Sequence, residues 1–110
     1  MADLKDRLAI VTGASRGIGR GIALSLADAG ARVVACARDE SRLGAVVAEA
    51  KERQCSGEIL PEILDVSDRK AIDTMVERVA VVHERIDILV NNAGITRDGL
   101  VMNMEDDQFD

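Results

Sequence analysis

The chain has 110 residues, of which 47% are hydrophobic and 31% are charged, and its formal net charge is −6. This length fits a single domain, and the composition is typical of a globular protein rather than a disordered one. The negative charge argues against a nucleic-acid partner, and no stretch approaches the roughly 20 apolar residues of a membrane-spanning helix.

Two further features of the composition concern the core and the cellular compartment. Phe109 is the single aromatic residue, so the core must be built from Val, Ile, Leu and Ala. Cys36 and Cys55 lie far from any Cys-x-x-Cys spacing, which is typical of reduced, unpaired thiols. The N-terminal residues lack the basic and apolar regions of a signal peptide, and we therefore expect a cytoplasmic protein.

The first predicted unit is a strand followed by a helix. RLAIVT, residues 7–12, is a nearly continuous apolar run, as expected for a strand that is buried on both faces. The following helix, over residues 16–30, has Ile18, Ile22 and Leu26 on one face. Gly30 supplies the signal that ends this helix.

The second unit repeats the pattern. ARVVACA, residues 31–37, is another buried strand, and Asp39 or Ser41 is a suitable N-cap for a helix over residues 40–54. A short third strand covers residues 59–64, and Pro61 within it restricts how that strand pairs.

The last unit consists of a helix over residues 68–86, capped by Ser67, and a fourth strand over residues 86–92. Four strands alternating with helices predict an α/β fold with a Rossmann-like, doubly wound parallel sheet. The chain would hold only the N-terminal portion of this fold, up to the fourth strand and the start of a fourth helix. We expect the fourth strand to expose an unpaired apolar edge.

A glycine-rich turn, TGASRGIG, joins the first strand to the first helix. Its spacing matches neither G-x-G-x-x-G nor a Walker A loop, because no Lys-Ser/Thr pair follows the last glycine. Gly13 directly follows the strand, and Gly17 and Gly19 open the helix, where backbone N–H groups and the helix dipole attract an anion. The alternative is a tight connection that binds no ligand.

Three motifs, in this order, resemble those of the short-chain dehydrogenase/reductase family. TGASRGIG is similar to the family's TGxxxGxG motif, LDV follows the third strand, and NNAG ends the fourth. The resemblance implies that the glycine turn holds the cofactor's phosphates and adenosine ribose, that Asp65 hydrogen-bonds the adenine amino group, and that the last three residues of NNAG line the ribose side of the cleft. The cofactor-binding residues implied in this way are Gly13, Ala14, Ser15, Arg16, Gly17, Ile18, Gly19, Asp65, Val66, Asn92, Ala93 and Gly94. Asp65 is alternatively a partner in the turn before the third helix.

The end of the second strand indicates which nicotinamide cofactor is bound. Family members that use NAD carry an acidic residue there, whereas this chain has Ala37 followed by Arg38. Arg38 and Arg16 of the glycine turn suit a ribose 2′-phosphate, because guanidinium groups pair bidentately with phosphate. We therefore predict NADP(H); the alternative, Asp39 as a ribose ligand, is better explained as a helix N-cap.

Residues 91–110 more closely resemble the 3-oxoacyl-[acyl-carrier-protein] reductases of fatty-acid synthesis, and acetoacetyl-CoA reductases are similar in this segment. The resemblance implies an acyl-carrier-protein or CoA thioester substrate and a homotetrameric parent. Met102 and Met104 belong to this segment and have a simpler alternative role in packing the start of a helix.

The family's catalytic groups are a Tyr-x-x-x-Lys pair, an upstream Ser and a helical Asn, and this chain contains no Tyr. No catalytic residue is therefore assigned, and residues 1–110 are predicted to be the NADP(H)-binding domain of a longer reductase, inactive and poorly soluble alone. A noncatalytic dinucleotide-binding module is the main alternative. A phosphate-binding NTPase is a weaker alternative, because this chain lacks the Walker lysine that such an enzyme needs. His83, the only histidine, falls at a helix end and is not a catalytic candidate.

Overall fold

Strands and helices alternate along the chain in a computed structural model, which describes residues 3–92 and the backbone of residues 102–103. The first four strands are parallel and the sheet order is β3-β2-β1-β4-β5. This arrangement confirms the predicted Rossmann-like fold. The elements are β1 (Leu8–Thr12), α1 (Gly17–Asp28), β2 (Arg32–Ala37), α2 (Glu40–Glu52), β3 (Glu58–Ile63), α3 (Arg69–His83), β4 (Ile88–Asn91) and β5 (Met102–Asn103).

The core lies on both faces of the sheet, because successive residues of a strand point to opposite faces. In β1, Ala9 and Val11 pack with residues of α1 and α2, whereas Leu8 and Ile10 pack with α3. All of these β1 side chains are fully buried. The near-continuous apolar run therefore reflects helices on both faces, as the sequence predicts.

The two edges of the sheet differ from each other. At one edge, Pro61 of β3 lies opposite Ala35 of β2, and the missing N–H of proline is tolerated because β3 has no further neighbour among the described strands. At the other edge, β5 pairs antiparallel with β4, with Met102 opposite Val90. The expectation of an unpaired edge at β4 was wrong, because β5 hydrogen-bonds to its outer backbone groups.

The same pairing corrects the expectation for the last segment of the chain. Met102 lies in a short strand and not at the start of a helix. Met104, and the rest of the segment in which a fourth helix was expected, lie outside the described residues.

The helix ends are fixed by side-chain caps and by one glycine. Asp39 caps α2 by accepting the Arg42 N–H at 3.0 Å, which confirms the first of the two predicted caps. Asp68, and not Ser67, caps α3 by accepting the Ala71 N–H at 3.1 Å. After α1, Gly30 has a φ of 106°, a left-handed conformation that ends the helix without a Cβ clash.

Three single observations complete the description of the fold. Both cysteines are free, and burial raises the pKa of the Cys36 thiol to about 12. His83 ends α3 with Nδ1 3.4 Å from Nη1 of Arg32, at the start of β2 and so away from the carboxyl ends of the strands. No helix in the described part of the chain is long and apolar enough to cross a membrane.

Candidate functional site

The glycine turn, residues 13–19, leaves the carboxyl end of β1 and runs into α1. Gly13 and Gly17 have φ values of 64° and 63°, conformations that side chains with a Cβ rarely adopt. The N-cap of α1 is Arg16, which makes no side-chain hydrogen bond to the helix, whereas Asp39 and Asp68 cap α2 and α3. Uncapped N–H groups at a helix start are a suitable site for a phosphate.

Gly19 brings the first turn of α1 against the end of the sheet. A Cβ on Gly19 would overlap the carbonyl oxygen of Gly13 and would lie 2.6 Å from Nδ2 of Asn92. Asn92 in turn donates from Nδ2 to the Gly13 carbonyl oxygen at 3.3 Å. The first turn of α1 therefore packs directly on the Gly13 backbone, which requires glycine at position 19, and the Asn92 side chain fastens the glycine turn to the end of β4.

A cleft of about 640 Å³ opens beside this turn, at the carboxyl ends of β1, β2 and β3. In open parallel sheets, this edge is where ligands bind. Three arginines line the cleft, Arg16, Arg38 and Arg42, which we call the arginine rim. Its lining residues are Gly13, Ser15, Arg16, Ala37, Arg38, Asp39, Arg42, Asp65, Val66 and Ser67.

Asp65 organises the wall of the cleft opposite the glycine turn. Its Oδ1 accepts the Ser67 hydroxyl at 2.7 Å and the Ser67 N–H at 2.9 Å, and these hydrogen bonds lower the pKa of the Asp65 carboxyl. Its Oδ2 lies 3.7 Å from Nη1 of Arg38, a long and exposed ion pair. Ser67 thus supports Asp65 instead of capping α3, and the alternative turn role of Asp65 coexists with its place in the cleft.

The predicted site residues divide into several groups by their location. Gly13, Ser15, Arg16, Arg38, Asp65 and Val66 line the cleft. Ala14 is fully buried in the core, and its N–H donates to the carbonyl oxygen of Cys36 at 3.1 Å, so its side chain is not on the cleft wall. Gly17 and Ile18 are exposed at the start of α1, Gly19 and Asn92 lie behind the turn, and Ala93 and Gly94 lie outside the described residues.

Arg42 is the functional candidate that sequence reasoning missed. It lies in the first turn of α2, three residues after the Asp39 cap, and this helix begins shortly after the carboxyl end of β2. This position was available in the sequence, because the first turn of a helix that follows a parallel strand lies near the edge of the sheet where ligands bind. A search of the first helical turn after the second strand for basic residues would have found it.

The parallel sheet, the glycine turn and the cleft at the carboxyl ends of the strands define a Rossmann-like domain of the class that binds dinucleotides. Residues 7–110 match the family model described as short chain dehydrogenase. The chain therefore belongs to the short-chain dehydrogenase/reductase family, as its motifs predict.

Individual relatives agree with this assignment. The chain is 40% identical over 107 residues to 3-oxoacyl-[acyl-carrier-protein] reductase FabG of Thermotoga maritima, covering 97% of this chain and 43% of the relative. It is 41% identical to the Escherichia coli FabG over 107 residues, covering 97% and 42% respectively. A metagenomic short-chain oxidoreductase, solved in complex with NADP, is 46% identical with a TM-score of 0.76, covering 84% of this chain and 41% of that one. The chain thus spans less than half the length of these relatives.

Proposed function

We propose that the chain binds NADP(H) as the cofactor-binding part of an NADPH-dependent reductase. The observation that carries the proposal is the arginine pair, Arg16 and Arg38, which borders one cleft beside the glycine turn. Ala37 is 4% exposed and occupies the position where an acidic side chain would select NAD. Guanidinium groups there favour a 2′-phosphate, and the NADP complex of the metagenomic relative supports the same choice.

The residues around the cleft fit the parts of this cofactor. The uncapped N–H groups of α1 would hold the pyrophosphate, and Gly13 and Gly17 supply the positive φ values that the turn around it requires. Asp65 would accept the adenine amino group beside the Val66 backbone. Further contacts with the cofactor are assigned to Ser15 of the turn, to Ile18 on α1, and to Asn92, Ala93 and Gly94 on the ribose side of the cleft. Ala14 is not among them, because it is fully buried and its N–H is bonded to the Cys36 carbonyl oxygen.

Calorimetric titration of the chain with NADP⁺ and with NAD⁺ tests this proposal. We expect NADP⁺ to bind at least about tenfold more tightly, the difference that charge-assisted hydrogen bonds to one phosphate produce at an exposed site. Equal affinities would refute the two-arginine argument. A preference for NAD⁺ would favour Asp39 as a ligand of the ribose hydroxyl.

For the reaction, we propose reduction of a 3-oxoacyl thioester, carried by acyl carrier protein or CoA, to the 3-hydroxyacyl form. The FabG relatives, whose names specify a 3-oxoacyl-[acyl-carrier-protein] substrate, support this assignment. NADPH supplies a hydride to the ketone carbon, and the alkoxide that forms needs a proton donor and a hydrogen-bond donor. The chain contains no Tyr. We propose that these donors belong to a longer, homotetrameric reductase of which this chain is the cofactor-binding part.

Two measurements test the proposed reaction. The 110-residue chain should not oxidise NADPH in the presence of a 3-oxoacyl-CoA, because the groups that protonate the alkoxide are absent. The coding sequence beyond Asp110 should encode a Ser followed by Tyr-x-x-x-Lys within a few tens of residues. Turnover by the chain alone would contradict the proposal that the proton donors lie in a longer reductase. A natural stop codon after Asp110 would favour a noncatalytic dinucleotide-binding module.

A further inference from the structure

Arg42 lies on the arginine rim although the motifs that define the cofactor site do not include it. Arg42 lines the same cleft as Arg16 and Arg38. The Arg42 side chain is 54% exposed, and its Nε lies 3.3 Å from Oδ2 of Asp39. An exposed pair of this kind is weak, so the guanidinium group is available to a ligand with a higher negative charge.

The charges in the cleft lining show why a third arginine matters. The lining contains the three arginines of the rim and two carboxylates, Asp39 and Asp65. Each carboxylate lies beside one arginine: Asp65 is 3.7 Å from Arg38, and Asp39 is 3.3 Å from Arg42. With Arg42 the lining has one net positive charge, and without it the lining is neutral. Arg42 therefore adds the positive charge that the two carboxylates of the lining do not balance, which favours a dianionic phosphate.

The position of Arg42 in α2 places the residue at the cleft. Asp39 caps the helix through the Arg42 backbone N–H at 3.0 Å and also forms a weak, exposed ion pair with the Arg42 side chain. Because Arg has five N–H donors, an ion pair at Nε leaves the terminal nitrogens as donors to a second acceptor.

We propose that Arg42 is a third ligand of the ribose 2′-phosphate, and that Asp39 opposes it by competing for the same guanidinium group. This inference rests on the proposed binding of NADP(H) and adds a specificity-determining pair to it. Arg42 supplies a charge-assisted hydrogen bond to a phosphate oxygen, and it contributes nothing to a ligand that lacks the 2′-phosphate. The Asp39 carboxylate lowers the affinity for that phosphate and so sets the degree of preference.

The test compares two adenosine ligands that differ in one phosphate, adenosine 2′,5′-bisphosphate and adenosine 5′-monophosphate. Both are titrated calorimetrically into the 110-residue chain and its variants, after circular dichroism has confirmed that each variant is folded. Arg42→Gln should weaken binding of the bisphosphate roughly tenfold and leave the monophosphate unchanged. Asp39→Asn retains an oxygen that caps α2 while it removes the charge, and it should strengthen bisphosphate binding severalfold.

The control is Arg53→Gln, which makes the same change in net charge at the other end of α2. Arg53 pairs with Asp28 at 2.7 Å and does not line the cleft, so this variant should bind both ligands as the wild type does. Unchanged bisphosphate affinity in Arg42→Gln, with the wild-type preference for bisphosphate intact, would overturn the role of Arg42 alone. If the wild type binds the two ligands equally well, the NADP(H) proposal itself fails. Asp39→Asn is an independent test, because it should strengthen bisphosphate binding whereas Arg42→Gln should weaken it. Weaker bisphosphate binding in Asp39→Asn would refute the proposal that Asp39 competes with the phosphate for Arg42.

Discussion

The glycine turn and the arginine rim meet at one cleft, yet they are built on different physical principles. At the glycine turn the backbone leaves no space, since a single methyl group on Gly19 would overlap the Gly13 carbonyl oxygen. At the arginine rim the side chains are exposed, and Arg38 reaches its nearest carboxylate only at 3.7 Å. Under the proposed function, the shape of the turn would determine whether a dinucleotide fits, and the charge of the rim would determine which dinucleotide is preferred.

The largest expected effect comes from a change in shape at the glycine turn. Gly19→Ala should lower the free energy of unfolding by about 1–3 kcal/mol, because the added methyl group meets backbone and not a flexible side chain. It should also weaken the binding of NADP⁺ and of NAD⁺ to the same extent, since the turn would contact the pyrophosphate, which both cofactors share. Urea denaturation and calorimetry measure the two effects.

Gly21→Ala is the matched control for that prediction. Gly21 lies in the same helix, and a Cβ there has no neighbour within 4 Å. Because alanine favours the helix, this variant should be as stable as the wild type or up to about 1 kcal/mol more stable. If both variants were equally stable, the close contact between Gly19 and the Gly13 carbonyl oxygen would not require glycine at position 19.

An intermediate effect, restricted to one cofactor, is expected at the arginine rim. Arg38→Gln should reduce the affinity for NADP⁺ by roughly tenfold and leave NAD⁺ binding unchanged, because only NADP⁺ carries the 2′-phosphate. The free energy of unfolding should change by less than about 0.5 kcal/mol, since Arg38 is exposed and its ion pair is long. An equal loss for both cofactors would mean that Arg38 acts on the fold of the cleft and not on its selectivity.

The smallest effect is a dependence of stability on pH that arises at Asp65. The Ser67 hydrogen bonds lower the pKa of this carboxyl below its ordinary value of 3.8 in the folded chain. A lowered pKa means that Asp65 stabilises the fold above the ordinary value, and that this contribution is lost as the pH falls through the folded value. The melting temperatures of the wild type and of Asp65→Asn, measured from pH 6 to well below pH 3.8, should therefore differ at the upper end of the range and converge once the pH has fallen through the lowered pKa of Asp65.

The glycine turn serves as the internal reference for this pH prediction. Its residues carry no carboxylate, so the destabilisation caused by Gly19→Ala should stay constant over the same pH range. If Asp65→Asn and the wild type instead remained equally far apart at all pH values, the Asp65 carboxylate would not be held in its ionised form by Ser67.

The parts of the fold that sequence predicts well are those set by local physical preferences. The apolar run of β1 reveals its burial because helices cover both faces, and Gly13 and Gly19 mark a turn that only glycine accommodates. Asp39 is recognisable as a helix cap because a carboxylate at that position satisfies the first free N–H groups.

The features that the sequence did not predict depend on residues far away in the chain, or on a choice between adjacent residues that are chemically similar. The strand at Met102 exists only because it pairs with Val90, and no local pattern in two residues reveals such a pairing. Ser67 and Asp68 are adjacent and both are good caps, so the choice between them depends on Asp65, which takes the Ser67 hydroxyl. Arg42 lines the cleft because it lies in the first turn of α2, a position that motif matching does not consider.

The placement of the 2′-phosphate between the arginines is tested most directly by a crystal structure of the protein with NADP⁺. Oxygens of that phosphate should lie roughly 2.7–2.9 Å from guanidinium nitrogens of both Arg16 and Arg38, the range of charge-assisted hydrogen bonds. A 2′-phosphate directed into solvent, away from both arginines, would contradict the assignment of the cleft.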